Sequence, residues 1–370
     1  MTGAPIRRIA ISTGGGDAPG LNAVIRATVS AALRRGWECV GIRDGYNGLL
    51  VPERYPQGGL VPLTHERVRG ISHLGGTILG TTNKGDPFHF PVRNPDGSMG
   101  ERDRSDELVA CFAQNGIDAL VTVGGDGSLS IAHELHRKGL RVVGVPKTID
   151  NDLDKTFTTF GFDTAVSFAT ECLDRLHSTA ESHQRVMVVE VMGRYAGWIA
   201  LHTGIAGNAH AVLIPEIPFD IDKVAAKVVA RDVEGHPYTI VLVAEGAEPA
   251  HGHREVVEAA EIGHAERLGG IGERVGQAIQ ARTGKDTRVV VLGHLLRGGS
   301  PTSFDRLAAM RFGTAAVRAL GEGQSGIMVA LGFPNVNYVA LEEVAGRMKA
   351  VPLDSDTLQT ARDLGIEFGD

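Results

Sequence analysis

The segment "RIAISTGGGDAPGLNAVIRATVSAALRR" (residues 8–35) decides the fold. A short β-type apolar run from Arg7 to Thr13 stops at three consecutive glycines. Apolar side chains then recur at Leu21, Val24, Ile25, Val29 and Leu33 with helical spacing. Pro19 stands where it can start that helix. Strand, glycine turn and helix in immediate succession form the repeating unit of a parallel sheet covered by helices.

The same punctuation recurs along the chain. "ALVTV" ends at Gly124, "RVVGV" at Pro146, "RVMVVEV" at Met192-Gly193, "TIVLVAE" at Gly246 and "RVVVLG" at His294. Between these runs, residues 161–180 place Phe162, Ala165, Phe168, Ala169, Cys172 and Leu176 on one helix face, and 128–139, 222–233, 264–282 and 303–321 are further helix candidates. The alternation predicts an α/β protein with helices on both faces of a parallel sheet, where ligands bind beyond the carboxyl ends of the strands. Residues 86–106, rich in Pro, Gly, Asp and Arg, are expected to form an exposed loop or short hairpin. The first half and residues 161–260 read as two similar α/β layers, with the chain crossing back near 280–300.

With 370 residues and 42% apolar composition, the chain is long enough for two domains or one large α/β unit. A net charge of −7 without a dense Lys/Arg block argues against a nucleic-acid or membrane-surface partner. Cys39, Cys111 and Cys172 lack metal-ligand spacing and fit a reducing compartment. The amino terminus shows no leader, and no apolar run reaches the length of a membrane span, so a cytoplasmic, soluble protein is expected.

Glycine turns at strand ends next to helix starts favour anions, because exposed main-chain N–H groups converge there. The turn at Gly14–Gly16 matches neither the P-loop nor the dinucleotide spacing. "TVGGDGSLS" (122–130) repeats its logic, with Gly125, Asp126, Gly127 and Ser128 as a plausible N-cap. An acid between glycines suits Mg²⁺, which takes one or two carboxylates and completes its shell with phosphate oxygens. In "GVPKTIDNDLD" (144–154), Thr148, Asp150 and Asp152 alternate, so an extended segment would point all three to one side. Two carboxylates at that spacing repel unless a metal, a basic partner or a substrate hydroxyl relieves them. Arg185, Arg194, Arg288 and Arg297 suit bidentate phosphate contact, and His294 beside a glycine-rich turn reads as a ligand contact. Two phosphate loops, clustered acids and dispersed arginines imply phosphoryl transfer between two phosphorylated ligands.

"GGDAPGLNAVIR", "GGDGS", "PKTIDND", "VMGRYAG" and "LGHLLRGGSPTSFDR", in this order and approximate spacing over about residues 7–310, resemble the 6-phosphofructokinase family. The short GGDG element alone is also similar to NAD kinases and lipid kinases, which lack the other segments. The resemblance implies two Rossmann-like three-layer α/β/α domains. These would be a nucleotide-binding domain of residues 1–160 plus about 283–325 and a fructose 6-phosphate-binding domain of 161–282 plus about 326–370. It implies ATP-dependent phosphorylation of fructose 6-phosphate to fructose 1,6-bisphosphate with Mg²⁺. Asp150 would be the general base, Asp126 the metal carboxylate, Asp152 a supporting acid, Thr148 a substrate contact and Arg194 a neighbour of the transition state. Met192, Gly193, Glu245, His294 and Arg297 match sugar-phosphate contacts. Gly15, Gly16, Gly125, Gly127 and Ser128 match nucleotide phosphate loops. Arg185 and Arg288 match arginines supplied across a subunit interface, which implies a homotetramer, or at least a dimer.

Three departures qualify the family pattern. Lys147 is similar to the pyrophosphate-using branch, whereas Gly127 leaves room for a nucleotide α-phosphate; together they favour ATP, with pyrophosphate as the alternative donor. Asn83-Lys84 stands where an arginine is usual, and Lys84 is a point charge instead of a fork. At the family's effector site Arg26 is retained, but Ser30 replaces an arginine, His210 a glutamate and Glu234–His236 a lysine-rich turn. Weak or absent response to ADP and phosphoenolpyruvate is therefore expected. A non-catalytic sugar-phosphate-binding subunit is the rival reading, opposed by the retained acids. Sedoheptulose 7-phosphate is an alternative acceptor for the same phosphate clamp.

Overall fold

The computed structural model describes residues 5–251, 256–258 and 267–370. In chain order the first part runs β1 (Arg8–Thr13), α1 (Leu21–Arg34), β2 (Glu38–Ile42), α2 (Asn47–Leu50), β3 (Leu60–Pro62), β4 (Phe90–Arg93), β5 (Met99–Arg102), α3 (Ser105–Gln114), β6 (Ala119–Gly124), α4 (Asp126–Arg137), β7 (Val142–Thr148) and β8 (Phe160–Gly161). The middle part runs α5 (Phe162–His183), β9 (Val186–Val191), α6 (Trp198–Ala206), β10 (Ala211–Leu213), α7 (Ile221–Val233), β11 (Thr239–Ala244), β12 (Val256–Glu258), β13 (Arg267–Leu268), α8 (Ile271–Thr283) and β14 (Thr287–Val291). The chain ends with α9 (Ser303–Gly321), β15 (Ile327–Gly332), β16 (Asn335–Ala340) and α10 (Asp356–Asp363).

Two sheets organise these elements. The larger has the order β16-β15-β7-β6-β1-β2-β3, with β8 added to β7; the smaller, β10-β11-β9-β14, is parallel throughout. Each central strand is buried along its whole length, as a sheet covered on both faces requires. One face of the larger sheet packs on α1 and α9, where Gly313 is obligatory because a Cβ there would lie 2.7 Å from Val24 O. The opposite face is covered by α3 and α4. Around the smaller sheet, α5, α6 and α10 cover one face and α7 and α8 the other.

The expected helices over 20–35, 161–180, 222–233 and 303–321 form, and that over 128–139 forms from Asp126. The one expected over 264–282 runs Ile271–Thr283; residues 264–266 lie outside those described. Residues 86–106 contain the β4–β5 hairpin. β14 pairs with β9, so residues 287–291 belong to the smaller sheet, while β15 pairs with β7 and β16 closes the larger one. The boundary expected near 283 therefore falls after β14, and 327–340 return to the first unit. Strand pairing decides this: the "RVVVLG" run is legible as a strand, but its neighbour in the sheet is not.

One buried acid ties the two units and two further acids fasten segments around the smaller sheet; each accepts main-chain N–H groups at a helix start, a favourable use of the helix dipole. Asp305 of α9, fully buried, accepts Thr164 N–H at 2.7 Å and Thr164 Oγ1–H at 2.6 Å in the first turn of α5. Glu216 accepts Gly197 N–H at 3.0 Å before α6, and also Val351 N–H at 2.8 Å from the C-terminal segment. Glu190 accepts Gly272 N–H at 2.8 Å in α8. Asp305→Ala should destabilise the protein by about 2 kcal/mol, since it leaves two buried donors without a charged acceptor; urea unfolding checks this, and an unchanged midpoint and slope would remove the tie.

Candidate active site

The site lies where the carboxyl ends of β1, β6 and β7 meet those of β9 and β11. At the end of β1, Gly14 N–H donates to Val123 O at 3.0 Å and Gly15, at φ 76°, donates to Thr82 O at 3.1 Å. Thr81 Oγ1 returns a bond to Gly15 O at 2.6 Å. The 80–84 loop is thus bound to the first glycine turn, with Lys84 exposed beside it. Ser128, on the first turn of α4, fits between the glycine turns: a Cβ on Gly14 or Gly124 would come within 2.7 Å and 2.3 Å of its Oγ. Gly125 and Gly127 flank Asp126 at the start of α4. A Cβ on Gly127 would meet nothing within 4 Å among the described residues, so packing does not require glycine there.

β7 continues through Pro146 to Thr148, two residues beyond the expected stop. Pro146 is tolerated because β15 pairs only with Val143 and Gly144, leaving β6 as the neighbour at its position. The acids after it are not on an extended strand. Asn151 adopts a left-handed conformation at φ 53°, so strand alternation is not what brings Thr148, Asp150 and Asp152 together. They converge through the Thr148 hydroxyl, which accepts Asp150 N–H at 3.1 Å and donates to the Asp152 carboxylate.

Charge is concentrated here. Asp150 Oδ1 is shut off from solvent and meets no donor among the described residues. Burial, and then the charge of Asp152, push its pKa up to about 7, against the pull of Arg297 and Arg194. Asp152 is raised by burial and by Asp126, and Glu245 by burial against Arg194. Lys147, only 3% exposed, donates to Gly16 O and is lowered to about 8 by burial and by Arg297. Arg297 itself donates to Asp17 O at 3.2 Å. One set of cations therefore joins the first glycine turn to the acid turn.

The second unit contributes Met192, Gly193 and Arg194 after β9, Glu245 after β11, and Arg297 from a tight turn over Gly293–Arg297. Glu245 N–H donates to Val191 O at 2.9 Å, which sets these segments side by side. His294 sits in the same turn as Arg297 and is exposed, so it is not part of the apolar strand. Arg185 and Arg288 are at the other end of the sheet. Both pair with Asp286, at 3.3 Å and 2.7 Å, beside the first residues of β9 and β14. A strand of that length separates them from Met192 by about 20 Å.

Sequence reasoning missed the C-terminal segment. Gly346 N–H donates to Asp126 Oδ1 at 2.9 Å, and Lys349 N–H to Asp152 O at 2.8 Å. Lys349 Nζ reaches Asn151 Oδ1 at 3.1 Å, and burial lowers it to about 8 despite Asp152 and Asp154. No recognisable motif surrounds it. At the expected effector region, Arg26 and Ser30 line a cavity of about 370 Å³ together with Arg34, Arg35 and Arg318. His210 is turned inward: its Nδ1 accepts Ile240 N–H at 2.8 Å, and its ring packs on His177 and Tyr238.

Among the described residues no three His, Cys, Asp or Glu side chains are preassembled for a metal. Asp126, near enough to act on Asp152, and the donorless Asp150 Oδ1 nevertheless fit Mg²⁺, which needs few carboxylates once phosphate oxygens are present.

A family model described as phosphofructokinase matches residues 8–320. The chain is 52% identical over 364 residues, 98% of each sequence, to an ATP-dependent 6-phosphofructokinase of Chloroflexus aggregans. It is 47% identical over 350 residues to a pyrophosphate–fructose 6-phosphate 1-phosphotransferase of Amycolatopsis mediterranei, covering 94% of this chain and 97% of that one. Phosphofructokinase from Pichia pastoris in the T-state is similar in structure, with a TM-score of 0.77 and 32% identity over 92% of this chain and 35% of that one.

Because the folded-state pKa of Asp150 lies above the unfolded carboxylate range, its stabilising contribution is complete below pH ~4 and lost as pH rises through about 7. Without ligands, Asp150→Asn should therefore be more stable than wild type at pH 8.5, on the order of 1 kcal/mol, with a smaller gain at pH 6. Thermal unfolding at both pH values checks the sign.

Proposed function

The chain belongs to the phosphofructokinase family, and from that membership we propose that it transfers the γ-phosphoryl group of ATP to the 1-hydroxyl of fructose 6-phosphate, giving fructose 1,6-bisphosphate and ADP in glycolysis. The observation that carries this reading is the donorless carboxylate oxygen of Asp150, held between two phosphate-type glycine turns on one side and Arg194, Glu245 and Arg297 on the other.

Asp150 takes the proton of the sugar hydroxyl as that oxygen bonds to the γ-phosphorus, and the bridging bond to the β-phosphate breaks to release ADP. An ionised carboxylate with a pKa near neutrality suits this role, since it is basic and still charged at working pH. Thr148 fixes the turn that aims it. The turns at Gly15-Gly16 and Gly125–Ser128 receive the nucleotide phosphates on main-chain N–H groups. Lys147 and Lys84 supply positive charge on that side. Arg194 faces the charge that develops in transfer, while Met192, Gly193, Glu245, His294 and Arg297 hold the sugar phosphate. Asp126, supported by Asp152, would hold Mg²⁺, which neutralises phosphate charge when bound.

ATP is preferred over pyrophosphate because, among the described residues, no protein atom lies within 4 Å of a Cβ at Gly127. An acidic side chain there would project into it and repel a nucleotide α-phosphate. Lys147, and the pyrophosphate-named relative, support the second donor. The three cysteines are unpaired, which agrees with a cytoplasmic setting; among the described residues no helix is long and apolar enough to cross a membrane.

Arg185 and Arg288 lie too far from Asp150 to serve the same chain's site. Their place supports a homotetramer, or at least a dimer, in which each site takes these arginines from a partner.

Fructose 1,6-bisphosphate should form from fructose 6-phosphate and Mg²⁺ with ATP as the only donor; formation with pyrophosphate alone would overturn the donor assignment. Asp150→Asn should keep fructose 6-phosphate binding and lose turnover by at least ~10²-fold. Near wild-type turnover would remove Asp150 as the base. Mixed oligomers of Asp150→Asn and Arg288→Ala subunits should regain activity that neither parent shows, because about one quarter of randomly assembled sites are intact. No recovery would place each site within one chain.

A further inference from the structure

The segment between β16 and α10 crosses behind the acid turn and makes contacts that neither glycine turn explains. Leu153 forms a bridge with Met348, and the next residue donates Lys349 N–H to Asp152 O at 2.8 Å. On the other side of Lys349, its carbonyl accepts Trp198 Nε1–H at 2.8 Å, and its Nζ lies 5.5 Å from the Trp198 ring centroid. The ammonium reaches three acceptors: Asn151 Oδ1 at 3.1 Å, Thr156 O at 3.0 Å and Phe157 O at 3.2 Å. That matches the donor capacity of a lysine, so the group is fully engaged inside the protein.

Asn151 is the residue this arrangement controls. It is buried, 4% exposed, and holds the left-handed conformation between Asp150 and Asp152. Asparagine tolerates that conformation better than most residues, and two bonds to its side-chain oxygen hold it there. Its Oδ1 takes two donors, Thr159 N–H at 3.2 Å and the Lys349 ammonium. Releasing the second would leave the direction of the Asp150 carboxylate to the thermal freedom of a turn whose flanking acids repel. Positional errors of this kind at a general base reduce rate more than affinity.

We infer that Lys349 is a positioning residue for the transfer step, holding the Asp150–Asn151–Asp152 turn through Asn151 and thereby aiming the base, without touching either substrate. This rests on the proposed reading of Asp150 as the base.

The test compares wild type, Lys349→Met, Asn151→Ala and the double variant, with fructose 6-phosphate as the acceptor and the donor on which wild type works. Lys349→Met removes the ammonium and keeps the length of the stem. It should lower kcat by about 10-fold or more, with KM for fructose 6-phosphate and for the donor within about threefold of wild type. Asn151→Ala should give a similar loss. The double variant should be no worse than about twofold below the poorer single, because both changes break one interaction. Methylammonium added to Lys349→Ala should restore part of kcat, which a loss of general stability would not allow.

Losses that multiply in the double variant, or a kcat for Lys349→Met within twofold of wild type, would overturn the inference. If Lys349→Met does not fold, Asn151→Ala alone decides, and unchanged kcat there also overturns it. A wild-type protein inactive with both donors would sink the functional reading itself, a result distinct from active wild type with indifferent variants.

Discussion

Asp150 and Asp152 stand two residues apart at the end of β7, in a cleft where water screens their repulsion poorly. Much of the local structure answers that repulsion. Lys147 and Arg297 approach from the side of the first glycine turn. Lys349 approaches from behind. The Thr148 hydroxyl bonds to both neighbours of the turn. What remains uncompensated, an enclosed carboxylate oxygen without a donor among the described residues, is the group that a proton-bearing substrate would satisfy under the proposed function. A cost in the free protein thus becomes proton affinity at the point of use.

These cations come from distant parts of the chain, and this explains the architecture. Lys147 belongs to the larger sheet, Arg297 follows β14 of the smaller one, and Lys349 comes from a segment beyond both. They meet only if the two sheets are held in fixed relation. Asp305 fastens α9 to α5, while Glu216 fastens the C-terminal segment to the start of α6. Such ties are effective because a buried carboxylate with main-chain donors resists replacement by water. The proposed partner arginines extend the same dependence to the neighbouring subunit, since Arg185 and Arg288 face away from their own site.

Much of the site was legible in the residues because its chemistry is local. Glycine turns at strand ends, the acid flanked by Gly125 and Gly127, and arginines at strand termini declare themselves by position. The Thr148–Asp150–Asp152 cluster was found for an incomplete reason: alternation predicts one face of a strand, whereas a left-handed Asn151 and a shared hydroxyl gather the groups instead. His294 read as a ligand contact beside a glycine-rich turn, and the tight turn over 293–297 places it, exposed, in the same turn as Arg297. Lys349 was invisible, because "GRMKAVP" carries neither periodicity nor a motif and its partners lie about 200 residues earlier.

By itself the sequence determined which elements form and which of their ends are chemically active. Periodicity, glycine punctuation and side-chain type act over a few residues, and neighbouring groups set them. Only the tertiary structure decided which sheet β14 and β15 join, that Arg297 meets the first glycine turn, and that the C-terminal segment closes behind Asp152. Those outcomes depend on strand pairing and burial between segments far apart in the chain, where many apolar strands are interchangeable until the packed core selects one arrangement.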